Sequence, residues 1–346
     1  MCYLTNPPLT SENRGMAKQE FSVPTLSARV RTEAEAYLLL EELRWGTTGG
    51  PEACPKCGGM GRCYYLAPRN GVSRATRTGA VTQRRVWKCG HCRQQFSVLT
   101  GTIFHGTKIS VRTWLLVIFE MCAAKNGVSA REIERKYELT PKTAWFMLMR
   151  IREAMKRDPL VGLLRGTVVA DETWIGGDNS NRHADKRNVG TGPGTTDKQP
   201  VMALVDFETR EVRSRVVVDV TARSLSSVIA DEVEVEASQL WTDGSPSYKT
   251  VGKTMNSHHT VDHSIGQYVL NGAGTNLAEG YFSQLKRSLD GTHHNISREH
   301  LHRYLANFDF LYSNCRADDS TRMRVLLGQV AGRRLTYKPL TAGEPA

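Results

Sequence analysis

An α/β protein built in two unlike parts is what this sequence predicts, and three observations carry that expectation. Positive charge is confined to one stretch. Residues 51–160 hold 20 basic and 7 acidic side chains, while 1–50 (5 and 6) and 161–346 (21 and 22) are near balance. Two Cys-x-x-Cys pairs lie inside the basic stretch. Beyond residue 160, β-branched runs alternate with amphipathic segments, the layout of a mixed sheet with helices on its faces. A chain of 346 residues has room for two or three domains. With 40% hydrophobic and 23% charged residues it reads as folded. No apolar run approaches the ~20 residues of a bilayer span. The longest candidate, Trp114 to Ala124, is broken by Glu120. No basic stretch leading into an apolar core opens the sequence. An integral membrane protein and a small secreted scaffold are both disfavoured, and the expected compartment is the cytoplasm.

In chain order, residues 1–31 are polar with scattered Pro and Ser and are expected to form a flexible arm. An amphipathic helix over 32–44 ends at the Gly-rich Gly46 to Pro51 and opens a zinc-ribbon region, 32–105. Its ligands are Cys54 and Cys57, then Cys89 and Cys92, in a chain expected to be kept reduced. Four thiolates close a tetrahedral shell around a structural Zn²⁺. Gly58 and Gly90 fit knuckles that turn sharply, and Cys63 and His91 are substitute ligands at poorer spacing. The 31 residues between the knuckles include a basic insertion with Arg69, Arg74, Arg77, Arg84 and Arg85. Cys122 falls in an apolar helical stretch and is expected in the core.

Region 106–158 reads as helical. Ser129 with Glu132 forms a capping box, and Thr140-Pro141 is an N-cap followed by Pro at the first helical position. Two short helices joined by a tight turn, the second carrying Lys142, Arg150, Arg152 and Lys156, fit a helix-turn-helix. Within a basic block such a pair points to DNA, with Lys142 and Arg150 as candidate contacts. Trp145, Phe146, Leu148 and Met149 look like core.

Asp158-Pro159 closes that region, and 159–320 forms the α/β domain, followed by a tail, 321–346. Strands are expected at 166–175, 200–207, 211–220, 238–242 and 258–262, helices at 222–233, 277–289 and 297–312, and a polar Gly-rich loop at 178–199. Asp171 lies in an apolar strand, where a carboxylate is costly to bury unless it is paired or holds a metal. Asp243 ends a later strand. Glu279 begins a helix, with Lys286 at i+7 on the same helix face and Phe282 at i+3 beside them. Three converging carboxylates suit Mg²⁺ or Mn²⁺ and two-metal phosphoryl transfer. Glu172 is set aside because it points to the opposite sheet face from Asp171. Trp174 is expected to pack, and His293, His294, His300 and His302 to orient a helix or meet phosphate rather than bind zinc.

Several stretches together carry a family resemblance. They are Cys54-Pro-Lys-Cys57, Val168-Val-Ala-Asp-Glu-Thr-Trp-Ile-Gly-Gly177, Thr242-Asp-Gly-Ser-Pro-Ser-Tyr248, Thr275-Asn-Leu-Ala-Glu-Gly-Tyr-Phe-Ser-Gln-Leu-Lys-Arg287, and Gly291-Thr-His-His-Asn-Ile-Ser-Arg-Glu-His-Leu301 with Arg303-Tyr304-Leu305. From about residue 33 to 316 the chain resembles bacterial insertion-sequence transposases of the DDE type, in the branch with an N-terminal zinc ribbon and helix-turn-helix. The 35 residues between Asp243 and Glu279 match that family's spacing. The resemblance implies a ribonuclease-H-like mixed-sheet catalytic domain. It implies Asp171, Asp243 and Glu279 as catalytic ligands of Mg²⁺ (or Mn²⁺), and Lys286 on the DNA end with Arg287 and Asn276 near it. Asn276 is also a rival or helper for the third ligand. The expected activity is binding of terminal inverted repeats, then DNA cleavage and strand transfer, by a homo-oligomer of at least two copies that also engages target DNA. No membrane and no small-molecule substrate enter this reading, and nucleoid association in the cytoplasm follows from it. The rival readings are a DNA-binding regulator with an inactive transposase-like domain and, more weakly, a nuclease acting on RNA.

Overall fold

The computed structural model describes residues 20–46, 49–69, 71, 73–75, 79–158, 161–176, 198–261, 275–294 and 296–341. The first part of the expected arm, to residue 19, and nearly all of the expected 178–199 loop lie outside the described residues. Among the described residues no helix is long and apolar enough to cross a membrane.

The last part of the expected arm, from residue 20, is folded. Helix α1 (Val23–Arg29) starts under a capping box made by Ser22 and Thr25. Phe21, Leu26 and Val30 are fully buried. Helix α2 (Glu33–Trp45) begins with a second capping box, Thr32 with Glu35, and ends at Gly46, whose φ of 75° suits glycine. The ribbon follows as a sheet in the order β1 (Cys63–Tyr65), β4 (Trp87–Cys89), β5 (Gln95–Phe96), with a small hairpin, β2 (Arg74–Ala75) and β3 (Val81–Thr82), in the insertion. Glu41 of α2 ties the ribbon down, accepting from Arg85 at 2.7 Å and from the Trp87 indole at 2.8 Å.

Helices α3 (Val111–Ala123), α4 (Ala130–Tyr137) and α5 (Pro141–Met155) form the helical module. Thr140 caps α5 as expected. Ser129 accepts from the Glu132 N–H at 3.1 Å, but the Glu132 carboxylate pairs with Lys136 at 2.7 Å instead of completing a capping box. The turn between α4 and α5 places Glu138 in the left-handed region at φ 52°. The core of this module joins α1 to α5 with α10 (Asp319–Gly328) and Val330. Most of α10 falls in the expected C-terminal tail, and its Arg322 donates to the Cys122 carbonyl at 3.0 Å. Short helix α11 (Tyr337–Thr341) closes the chain against α5, with the Tyr337 ring 5.4 Å from Phe146.

The second part is one five-stranded sheet. Its strands are β6 (Leu164–Ile175), β7 (Gln199–Asp206), β8 (Val212–Val216), β9 (Val233–Asp243) and β10 (Ser257–Val261), in the order β10-β9-β6-β7-β8. β6, β7 and β8 form an antiparallel meander, β9 runs parallel to β6, and β10 runs parallel to β9. That order and those directions are the ribonuclease-H-like arrangement. Alternate residues face opposite sides. Val169, Val205 and Trp241 meet α8 (Asn276–Ser288) and α9 (Leu301–Ser313) on one face. Val168, Ala170 and Leu240 meet α6 (Ala222–Glu232) and α7 (Pro246–Val251) on the other.

Edge strand β8 is covered by α9. Asp309 accepts from the Ser214 N–H at 3.0 Å, and Ser313 Oγ accepts from the Val212 N–H at 2.9 Å, so two outward donors are satisfied within the chain. Burial pushes the Asp309 carboxyl up from its ordinary 3.8 to about 6, against hydrogen bonds from Tyr281 and Ser214 that favour the charged form.

Two outcomes follow from this packing. Leu26→Ala is expected to lower unfolding free energy by about 2–5 kcal/mol in urea titrations, because α1 is core rather than arm. For Asp309, the folded form keeps its proton up to about pH 6 while the unfolded chain releases it near 3.8. The stability this group contributes is therefore full below the lower value and lost as pH rises through the upper. Compared with Asp309→Asn, the wild-type protein is expected to lose stability between pH 4 and 6; parallel pH profiles of the two proteins would refute this.

Candidate active site and metal centre

The zinc knuckles are built from local backbone geometry. In the first, the Gly58 N–H bonds the Cys54 carbonyl at 2.9 Å, the Lys56 N–H points at Cys54 Sγ from 3.4 Å, and Gly58 adopts φ 70°. In the second, the left-handed residue is Arg93 at φ 58°, not Gly90 as the sequence suggested. Gly90 matters for another reason: its N–H reaches the Arg62 carbonyl at 2.7 Å, and an added Cβ would stand 3.3 Å from that oxygen. The ligand atoms of Cys54, Cys57, Cys89 and Cys92 all lie within 4.8 Å of one another. Cys54 Sγ is 3.9 Å from Cys92 Sγ, and Cys57 Sγ is 3.8 Å from Cys89 Sγ. Those edges fit a tetrahedron with Zn–S bonds of about 2.3 Å. The backbone N–H of Cys92, with that of His91, holds the Cys89 thiol down to about 6, which favours the thiolate a metal needs. Cys63 and His91 fall outside the four-sulfur group.

The acids come together through the sheet. β6 and β9 are parallel, with Val169 opposite Trp241. Two residues further along each strand stand Asp171 and Asp243, on the face that α8 covers. Paired strands run about 4.8 Å apart, so these two side chains are neighbours. Glu279 rises from the first turn of α8 toward the same edge. Asp171 and Asp243 are half-buried and Glu279 is exposed.

The Asp171 carboxyl is pushed up to about 7, first by burial and then by the nearby carboxylates of Glu172, Asp243 and Glu279. The Glu172 backbone N–H opposes this from 2.8 Å. Asp243 Oδ1 accepts from the Ser245 N–H at 3.1 Å, and Glu279 Oε1 from Thr275 Oγ1 at 2.9 Å. The carboxylates are not drawn as close together as the cysteines: among the described residues only the four-sulfur group meets the 4.8 Å separation. The donor set is nonetheless all oxygen, partly buried and mutually repelling, which suits a hard divalent cation.

Lys286 and Arg287 are exposed on α8, as are Asn276 and Glu279, at helical spacing. Phe282 turns inward instead, 4% exposed, into the sheet-facing core. Glu172 faces the other side, as expected, and accepts from Tyr248 Oη at 2.6 Å. Trp174 is 38% exposed and is not packed as expected.

Of the two candidate contacts on α5, Lys142 is exposed, its Nζ 4.3 Å from the Tyr337 ring. Arg150 is only 5% exposed. It donates to the His105 carbonyl at 2.8 Å and lies 5.3 Å from both the Trp114 and Phe146 rings. In this conformation it fastens the module and presents no surface to a phosphate. The exposed bases on these two helices are Arg131, Arg135 and Lys136 on α4, the last paired with Glu120 and Glu132, with Lys142 at the start of α5.

Sequence reasoning missed the supports around the acids. Thr275 was readable, four residues before Glu279 on the same helical turn. Thr242 was not. It is fully buried, donates to the Asp243 carbonyl at 2.8 Å and lies 2.9 Å from His258 Nε2, a partner from another strand.

Fold and site define a ribonuclease-H-like α/β protein with an appended zinc ribbon. Comparison with known families narrows this. Residues 163–313 match the family model described as ISXO2-like transposase domain, and residues 31–95 match the transposase zinc-ribbon domain. Two regions of the chain thus match insertion-sequence transposase domains, the longer over 151 of its 346 residues. It is 26% identical over 285 residues to an uncharacterized protein in transposable element ISH50 of Halobacterium salinarum, covering 80% of this chain and 90% of that one. Among solved structures, the catalytic core domain of BIV integrase is 13% identical, with a TM-score of 0.22 over 46% of this chain and 80% of that one. A chain of the simian T-cell lymphotropic virus intasome in complex with PP2A regulatory subunit B56 gamma is 16% identical, with a TM-score of 0.24 over 61% of this chain and 66% of that one. The fold assignment rests on the sheet order, not on these two likenesses.

Elemental analysis of the purified full chain is expected to find about one zinc per molecule, held by the four cysteines. Cys89→Ser is expected to lose that metal and lower the melting temperature. A metal-free Cys89→Ser protein melting like wild type would show that zinc does not support the ribbon.

Proposed function

We propose that the chain binds the terminal inverted repeats of its insertion sequence and catalyses DNA cleavage and strand transfer. The observation that carries this reading is the placement of Asp171 and Asp243 at matched positions on neighbouring parallel strands, with Glu279 on the helix that covers the same face. Asp171, Asp243 and Glu279 would hold Mg²⁺ (or Mn²⁺), which supplies charge neutralisation at a phosphodiester and activates water or a 3′-hydroxyl for in-line attack. Thr275 and the backbone N–H groups of Glu172 and Ser245 orient the three carboxylates before any ligand arrives. Lys286, on the same exposed stripe as Glu279, is placed for a phosphate of the DNA end, with Arg287 and Asn276 flanking it.

The net positive charge of residues 51–160 supports duplex binding by the ribbon and the helical module. In that reading α4 and α5 act as a helix-turn-helix, with Arg131, Arg135 and Lys142 among its exposed cations. Arg150 supports α5 from behind. Pairing two ends requires at least two copies of the chain, acting in the cytoplasm on nucleoid DNA.

Duplexes taken from the DNA flanking the gene provide the test. Asp171→Asn, Asp243→Asn and Glu279→Gln are each expected to keep end binding in gel-shift titrations and to reduce Mg²⁺-dependent cleavage and joining to background. Asp171→Asn that still joins strands would remove the site assignment. Wild-type protein that binds ends but cuts nothing would favour a regulator.

A further inference from the structure

The far end of α8 is seated on the helical module. The turn between α3 and α4 is closed by the Gly127 N–H on the Ala124 carbonyl at 2.9 Å, and it presents two carbonyl oxygens outward. Gln284 Nε2 donates to the Lys125 carbonyl at 2.8 Å. Ser288, fully buried one turn later, donates to the Asn126 carbonyl. Gly127 completes the seat. Its φ of 76° is a conformation other residues rarely adopt, and a Cβ there would stand 3.0 Å from His293 Nε2. His293 has little room to give way, because its ring packs at 4.9 Å from Tyr304 and 6.4 Å from Phe308.

Gln284 and Ser288 are i and i+4 on the helix that carries Glu279. The inner face of α8, through Ala278, Tyr281, Phe282 and Leu285, fixes the helix to the sheet. Beside the packing of α5 on α9, where Arg152 lies over the Tyr304 ring, these two hydrogen bonds tie the helical module to an element already locked to the acids. The α3–α4 turn leads straight into α4, whose Arg131 and Arg135 face solvent. Successive phosphates of one DNA strand are about 3.4 Å apart along the axis. A slip of the module against α8 by that distance would bring the neighbouring phosphodiester to the carboxylates.

We propose that the 125–127 turn sets the cleavage register, with Gln284 and Ser288 as positioning residues that hold DNA gripped by the helical module at one fixed distance from Glu279. This rests on the functional reading above and assigns that site its positional specificity. Ordinary packing between two parts would affect rate and stability but would leave the cut at the same phosphodiester.

The test maps cleavage products at single-nucleotide resolution on a duplex carrying the flanking inverted repeat, with full-length protein. Gln284→Ala and the Gln284→Ala, Ser288→Ala pair are expected to bind the duplex like wild type. They are also expected to raise the share of cuts at adjacent phosphodiesters by roughly tenfold, the factor one lost hydrogen bond can produce. Gln284→Lys, which keeps a donor of similar reach, is expected to restore the single cut. Gln284 is only partly buried, so the single variant answers the question should the pair fail to fold. Cuts at the wild-type position alone in Gln284→Ala, at whatever rate, overturn the register proposal and leave the function intact. Wild-type protein that cuts no duplex overturns the functional reading itself.

Discussion

Parallel pairing of β6 with β9 is the constraint on which the site depends. The two strands are separated by 57 residues, and their register brings two carboxylates to one sheet edge. A one-residue slip would send Asp243 to the opposite face, among the side chains that pack on α6 and α7. The register is held by Val169 and Trp241 on one side and by Val168 and Leu240 on the other, all at 6% exposure or less. Hydrophobic burial thus places two groups that repel each other. Burial first, and that repulsion after it, raise the Asp171 carboxyl. A site built this way carries electrostatic tension that a divalent cation would relieve.

The basic half follows a different logic. Its ribbon is too small to bury much apolar surface, and its own cluster amounts to Cys54, Trp87, Cys89 and Phe96 with partly buried neighbours. It is held by four sulfurs at one point and by α2 at another, where Glu41 binds both Arg85 and the Trp87 indole. Two of the basic side chains serve structure rather than display. Arg150 is sandwiched by rings, and Arg152 is fully buried over the Tyr304 ring at 3.9 Å. Net charge of a segment counts these residues equally with exposed ones, so the footprint available to a polyanion is smaller than the composition implies.

The same distinction explains how far the sequence could be read. Cys-x-x-Cys knuckles, the Thr140-Pro141 cap and the β-branched run around Asp171 are local signals, and each was legible. The sheet strands were also found, although β9 begins five residues before the expected 238, in the alternating Val233-Glu-Val-Glu236. Helices α1 and α10 were not legible as core elements. α1 has seven residues, α10 has a weak apolar stripe, and both gain their place only by filling a hollow left by α2 and α3. The inward turn of Arg150 and the support of Asp243 by Thr242 and His258 likewise depend on partners remote in sequence. So does the choice of Arg93 over Gly90 as the left-handed residue, which the knuckle geometry decides.

The route of the chain has a consequence for its architecture. Helices α1 to α5 share one core with α10, which lies beyond the sheet in sequence. The sheet is thus an insertion within the helical body, tethered where the chain leaves α5 and where it returns through α9. Cutting the polypeptide after α5 would strip the helical body of its last wall. The helical body and the sheet domain of such a molecule cannot be separated as consecutive pieces.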